Sequence, residues 1–283
     1  MKPTKVMFMD DEQEEAVQSK PKAPVKKKVE EPEGVAPSEN ARVLDLPSKG
    51  KFGYPASVEY RDMLAKDEEL LASATGTTYV RTLNGIIKSV LNNCSWYEKL
   101  TTYDRDYVMI WLWANNYNPM KTVSVTCNSC NHVDKKVKVD LTDLEIDDPQ
   151  EGFTGAFKMT LAATGKPVIV RLNTVADEIA VEQYLSKHED AANKYEYLMR
   201  VASIDVGIEF ALEKKMEWVG NNVNTKEMAK IKEFHKRFRY GVKTRLDHVC
   251  SECSEVTQFD LPFSAQDILF PDANMGDMEF DFV

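Results

Sequence analysis

Four of the five cysteines fall into two C-x-x-C pairs, Cys127 with Cys130 and Cys250 with Cys253. Four thiolates brought to one point make the tetrahedral set that Zn²⁺ prefers, and four protein sulfurs leave no coordination position open for a substrate. The cofactor to expect is therefore one structural Zn²⁺ per chain. One C-x-x-C alone would be weak evidence, because redox pairs share the spacing, but a redox pair opens a helix in a thioredoxin-like context. Here the stretches VSVTCNSCNHVDKKVKVDL and TRLDHVCSECSEVTQFDLP each place the pair between two strand-like alternating segments. Each reads as a zinc knuckle, a tight turn that aims two sulfurs at one point. The alternatives are two separate sites and a pair of knuckles without metal. His132 and His248 each stand two residues from a pair and could replace or hydrogen-bond a sulfur; the plainer reading makes them solvated turn residues. Cys94 has no C-x-x-C partner and is expected to be a small buried hydrophobe.

The spacing between the knuckles is unusual. Cys130 and Cys250 have 119 residues between them, against roughly 15–20 in a compact zinc ribbon. A shared site would tie the first half of the chain to the last, and closing so long a loop gains stability, though only logarithmically with length.

The elements that must position these sulfurs can be read from periodicity and punctuation. Residues 1–40 read as a disordered tail: they hold five of the twelve prolines, an acidic run at 10–15 and the basic stretch KPKAPVKKK, with little to bury. Within that tail Val6-Met7-Phe8-Met9 is a short apolar knot, and Phe8 is a candidate partner-binding residue. A turn-rich segment follows, punctuated by Pro47, Gly50, Gly53 and Pro55. Helices are predicted over 65–74 and 78–92. A third, over 103–116, is apolar on all sides as a buried helix should be, and Pro119 ends it. An acidic linker, LTDLEIDDPQEG, precedes two strands around a turn at Thr164-Gly165-Lys166. Thr174 with Asp177 reads as a capping box for a helix to about Ser186. Further helices are predicted over 191–202 and over 224–240, the last capped by Asn224 with Glu227 and stopped by Gly241. The stretch between those two is ambiguous.

The expected fold class is α+β. A helical N-terminal region (41–120) and an insertion of a β-hairpin and helices (145–240) surround a small sheet made by the first knuckle (121–144) and the second (241–270). The last residues, 271–283, form an acidic tail in which Glu279-Phe280-Asp281-Phe282-Val283 alternates polar with apolar, the period of a strand with one buried face. Phe280 and Phe282 are candidate partner-binding residues, with docking on a partner favoured over packing on the chain itself.

Composition narrows the function classes. The 283 residues are 43% hydrophobic and carry 36 Lys and Arg against 46 Asp and Glu, a net charge of −10. Such acidity disfavours general nucleic-acid binding, which draws its affinity from neutralising phosphates. No apolar run approaches the ~20 residues of a membrane span, and the first residues lack the pattern of a signal peptide. A reducing cytoplasm is the expected place of synthesis, where disulfides are disfavoured. No Gly-rich phosphate loop, H-E-x-x-H or G-x-S-x-G elbow is found, so no enzyme activity is expected. The rival is an adaptor or regulator that binds nucleic acid through its ribbon and the basic residues Lys226, Lys230, Lys232, Lys236, Arg237 and Arg239. Ile231, Phe234 and Phe238 on the same helix repeat at core spacing, which makes the bases a solvated face.

Three segments together resemble a known family. LDLPSKGKFGYP followed by KDEELL, then TYDRDYVMIWLWANNYNPMKTVSVTCNSC, then GVKTRLDHVCSECSEVTQFDLPFSAQDILFP are similar to the baseplate hub and hub-assembly proteins of T-even-type contractile-tailed phages. The resemblance spans about residues 43–271, and the LPSKG box and the Asp104-Arg105 helix make it more specific than the cysteines alone. It implies a structural or assembly protein rather than an enzyme. Its partners would be other phage tail and baseplate proteins, with no small-molecule substrate and no membrane. It would reside in the virion tail baseplate, or in the host cytoplasm during assembly.

Overall fold

The computed structural model describes residues 42–73, 79–92, 94–207 and 211–261. The tails 1–40 and 271–283, with Phe8, Phe280 and Phe282, lie outside the described residues. Within them the chain is a mixture of helices and small antiparallel sheets, an α+β fold.

Strands β1 (Arg42–Asp45) and β2 (Ser57–Tyr60) pair antiparallel around the LPSKG box. Helices α1 (Ala65–Ala72), α2 (Tyr79–Val90) and α3 (Thr102–Asn116) follow, the last two separated by a 3-10 turn at Tyr97–Lys99. Thr101 caps α3 by accepting from the Asp104 N–H, which satisfies one of the amides that a helix start leaves unpaired. Strands β3 (Met120–Thr126) and β4 (Val133–Asp140) make the first cysteine hairpin. A short β5 (Ile146–Asp147) leads to the hairpin of β6 (Ala156–Thr160) and β7 (Pro167–Arg171). Helix α4 (Val175–Leu185) starts on the expected capping box of Thr174 and Asp177. A 3-10 turn over Glu189–Lys194 then runs into α5 (Tyr195–Ala202), so the helix expected over 191–202 is split. The ambiguous stretch resolves into β8 (Ile204–Asp205), which joins β7 as a third strand, and α6 (Leu212–Asn222). Helix α7 (Thr225–Arg237) starts on the Asn224–Glu227 capping box and ends earlier than predicted. Gly241, at φ 88°, opens β9 (Gly241–Val242) on β5 rather than stopping the helix. The early end lets Tyr240 turn inward, where it is 2% exposed. Strands β10 (Arg245–Val249) and β11 (Val256–Asp260) make the second cysteine hairpin.

The apolar side chains gather into two clusters. One takes α2, α3 and the inward faces of both cysteine hairpins, including Ile87, Val90, Val108, Val125 and Leu261. The other takes the β6–β8 sheet with α4 to α7, including Val170, Leu198, Ile204, Ile231 and Phe234. Phe52 of the box packs against both. Its ring lies 6.0 Å from Phe153 and 5.4 Å from Tyr240. Gly155 lies beneath it at φ 87°, where an added Cβ would come within 2.8 Å of the Phe52 ring. Any larger residue there would both strain the backbone and displace the aromatic contact.

A buried polar seam runs through the same region. Asp104, fully buried at the start of α3, accepts from the Ser48 N–H of the box at 3.1 Å and from the Tyr54 hydroxyl at 2.7 Å. Thr101 Oγ1 bonds both Tyr54 and Tyr240 hydroxyls. Burial pushes the Tyr54 phenol up to about 12 and raises the Asp104 carboxyl despite its donors. Beside this, the Arg105 guanidinium makes two parallel bonds of 2.6 and 2.7 Å to Glu178 of α4, with both side chains 8% exposed. Tyr195 donates to the same carboxylate at 3.1 Å. Backbone bonds Thr102 N–H to Asn173 O and Val175 N–H to Leu100 O close the seam between the starts of α3 and α4.

Removing one partner of a buried, hydrogen-bonded ion pair leaves the other charge uncompensated, at a cost of roughly 3–5 kcal/mol. Glu178→Ala leaves Arg105 paired with Asp106 at 2.9 Å, so it is expected to lower unfolding free energy by less than that, about 2–3 kcal/mol, in urea titrations, whereas Glu196→Ala, whose carboxylate is 85% exposed, should change it by less than about 0.5 kcal/mol. A second expectation concerns pH. Burial, with Arg200 and Arg171 nearby, pulls His235 from 6.5 down to about 4, and its Nε2 meets Ser203 Oγ at 3.0 Å. Between those two values the unfolded chain binds the proton and the folded chain does not, so this residue's contribution falls as the solution is acidified across the window. The loss should reach about 3 kcal/mol. His235→Gln should flatten that part of the stability profile measured between pH 6.5 and pH 4.

Candidate metal centre

The two cysteine turns are built alike. In the first, the Cys127 N–H donates to His132 O at 2.8 Å and the Asn131 N–H donates to Cys127 O at 3.0 Å. In the second, the Cys250 N–H donates to Glu255 O and the Ser254 N–H to Cys250 O, both at 3.0 Å. The residue after each second cysteine is left-handed, Asn131 at φ 58° and Ser254 at φ 59°. Asn visits that region readily because its short polar side chain bonds locally; Ser254 is held there by the turn's two backbone bonds. Each turn thus curls its amides around its own sulfurs.

All four sulfurs lie within 4.8 Å of one another. Across the hairpins Cys127 Sγ is 3.6 Å from Cys253 Sγ, and Cys130 Sγ is 3.6 Å from Cys250 Sγ. A disulfide would hold sulfurs at about 2.05 Å, and all five cysteines are free thiols. Four sulfurs each about 2.3 Å from one tetrahedral ion would stand about 3.8 Å apart. The donor set and its spacing therefore fit a single metal ion. The Cys127 sulfur accepts from the Cys130 N–H, the Thr257 hydroxyl and the Ser129 N–H, which pull its thiol down to about 6. Neighbouring sulfurs instead raise the Cys130 and Cys253 thiols, and the thiolate is the form that binds metal.

The hairpins remain two separate two-stranded ladders, which corrects the expectation of one small sheet. They meet turn to turn, sulfur against sulfur. Side chains join them instead. Asp134 of β4 accepts from the Ser251 hydroxyl at 2.5 Å and the Ser251 N–H at 3.2 Å, and it meets His248 Nε2 at 2.7 Å. Ser251 first, then His248, hold the Asp134 carboxyl well below the usual carboxylate range. On the other side the Asn128 N–H donates to Thr257 Oγ1 at 3.2 Å.

The histidines differ from the sequence expectation in one respect. His248 is 18% exposed, sits in β10 and pairs with Asp134, so it is not a solvated turn residue, whereas His132, in the turn and 40% exposed, is one and lies 3.5 Å from the same carboxylate. Asp134 and Thr257 were not singled out from sequence: an acid in a lysine-rich strand and a threonine in an alternating one carry no local signal of a contact 117 to 130 positions away. Cys94 is half-buried rather than enclosed, packed at the edge of the first core, where burial pushes its thiol up to about 11. The five bases of α7 and Arg239 just beyond it are exposed, while Ile231 and Phe234 are buried and Phe238 is partly so.

Fold and site together define an α+β protein whose distant cysteine hairpins converge on a candidate metal centre. No helix among the described residues is long and apolar enough to cross a membrane. Residues 39–269 match the family described as T4 bacteriophage base plate protein. The chain belongs to that family, and it is a baseplate protein of a T4-like phage. Comparison with curated proteins and with solved structures gives no match.

Proposed function

We propose that the protein is a structural or assembly component of the tail baseplate hub. In this reading it binds other tail and baseplate proteins and holds one structural Zn²⁺ through Cys127, Cys130, Cys250 and Cys253. The observation that carries the reading is the meeting of four sulfurs from two hairpins distant in the sequence of a baseplate-family chain. Zinc there would supply a cross-link between hairpins distant in sequence. Structural zinc in small fingers is worth roughly 10–16 kcal/mol, comparable with the ~5–15 kcal/mol stability of a whole domain. Four sulfur ligands leave no open position, so the centre is assigned no catalysis. The segmentation into 41–120, 121–144, 145–240 and 241–270 belongs to this reading, with Phe8, Phe280 and Phe282 as protein-binding residues of the tails. Nucleic-acid binding through α7 is the weaker alternative, because its exposed bases sit on a chain of net charge −10 and phosphate binding depends on positive charge.

Elemental analysis should find one zinc per chain. Cys250→Ser should lose the metal and lower the melting temperature sharply, whereas Cys94→Ser, which touches no other sulfur, should keep both. Two zincs per chain, or none in a protein that still folds, would exclude the shared centre. Mass spectrometry of purified particles should find the chain at fixed stoichiometry if it stays in the baseplate. Its presence only in assembly intermediates would make it an assembly factor, and its absence from both would remove the baseplate role.

A further inference from the structure

A composite surface lies where α7 returns to the first core. Lys236, Arg239, Lys243 and Arg245 line a cleft of about 290 Å³ together with Asp147. Lys243 is already engaged by Glu145 at 2.6 Å and Asp147 at 3.3 Å. Neither Lys236 nor Arg245 has a carboxylate at ion-pair distance among the described residues. Val242 lines this cleft and also the neighbouring apolar groove, whose other walls include Tyr107, Trp111, Leu144 and Ile146. The buried Trp111 Nε1 meets no acceptor among the described residues, and Ile146, paired with Val242, is 46% exposed. A basic cleft thus adjoins an apolar groove, and both share the β5–β9 ladder.

The chemistry that complements such a surface is an acidic segment with alternating aromatic residues, and the chain carries one. From Pro262 onward the sequence has five acids and no Lys or Arg, and it ends in Glu279-Phe280-Asp281-Phe282-Val283. The described chain leaves beside the cleft: the Leu261 N–H donates to Thr244 O, Thr244 lines the cleft, and Asp260 pairs in register with Arg245. The residues between Leu261 and Asp277 can span up to about 50 Å when extended, ample for a site that starts at Thr244.

We propose that residues 277–283 dock on this surface of their own chain. The carboxylates of Asp277, Glu279 and Asp281 face the basic cleft, and Phe280 and Phe282 lie over the mouth of the apolar groove against Ile146 and Val242, since its volume of about 50 Å³ is too small to take in both rings. The alternation places acids and aromatics on opposite faces of an extended segment. Burying two phenylalanines contributes most of the affinity, and charge sets the register. This proposal depends on neither the metal nor the baseplate role, and it reverses the expectation that favoured docking on a partner over packing on the chain itself.

Zero-length carbodiimide cross-linking of the full-length protein, followed by mass spectrometry of the monomer fraction, tests it. The Lys243–Glu145 pair should link in every sample and serves as the internal control for the reaction and the fold. The expected result is a second link within single chains, joining Lys236 to Asp277, Glu279 or Asp281. The double variant Phe280→Ala/Phe282→Ala should reduce that link about tenfold or more, and raising salt to about 0.5 M should weaken it. Loss of the tail link with the control intact would overturn the proposal. So would tail links confined to dimers, which would mean docking between copies, or tail links that the double variant leaves unchanged.

Discussion

Asp104 and Arg105, adjacent and opposite in charge, are both buried at the first turn of α3, and much of the remaining structure is arranged to satisfy them. A buried charge without partners costs far more than any single apolar contact returns. Asp104 therefore draws in the box from one side and Arg105 draws in α4 from the other. The backbone bonds between the starts of α3 and α4, the inward turn of Tyr240 and the seat of Phe52 between the two cores all follow from that meeting. The LPSKG box and the Asp-Arg helix start, which stand 56 positions apart between Ser48 and Asp104, are two halves of one hydrogen-bonded joint.

The cysteine centre works differently. It lies at the tips of two hairpins whose bases are held by the first core, through Val123, Val125, Val139 and Leu261, with Leu246 and Phe259 packed alongside. The core brings the tips together, and the Asp134 bridge with the Asn128–Thr257 bond sets their final approach. The second core and its helices form between the two hairpins in sequence and yet contribute none of the four sulfurs.

Most elements were legible because their signals are local. The Thr174–Asp177 and Asn224–Glu227 capping boxes close within one turn of chain, so sequence alone places the starts of α4 and α7. The strand, C-x-x-C, strand pattern likewise predicts both cysteine hairpins, since the amides that curl around each sulfur come from the next few residues. The end of α7 was misplaced because Gly241 is an ordinary stop signal. Here it serves β9, and the helix yields earlier because Tyr240 gains more from Thr101 and the buried seam than from another helical turn.

Sequence by itself determined which residues could bind a metal, where the helices and hairpins begin, and which family the chain resembles. Each of these rests on residue types at short spacing, where covalent geometry ties cause to effect. Only the tertiary structure decided that the two C-x-x-C pairs converge, that Asp134 joins them through Ser251 and His248, and that the hairpins meet by their turns instead of pairing as a sheet. Those outcomes depend on which distant surfaces come into contact once the apolar faces are buried, and no residue within a few positions of Cys127 or Asp134 encodes that choice.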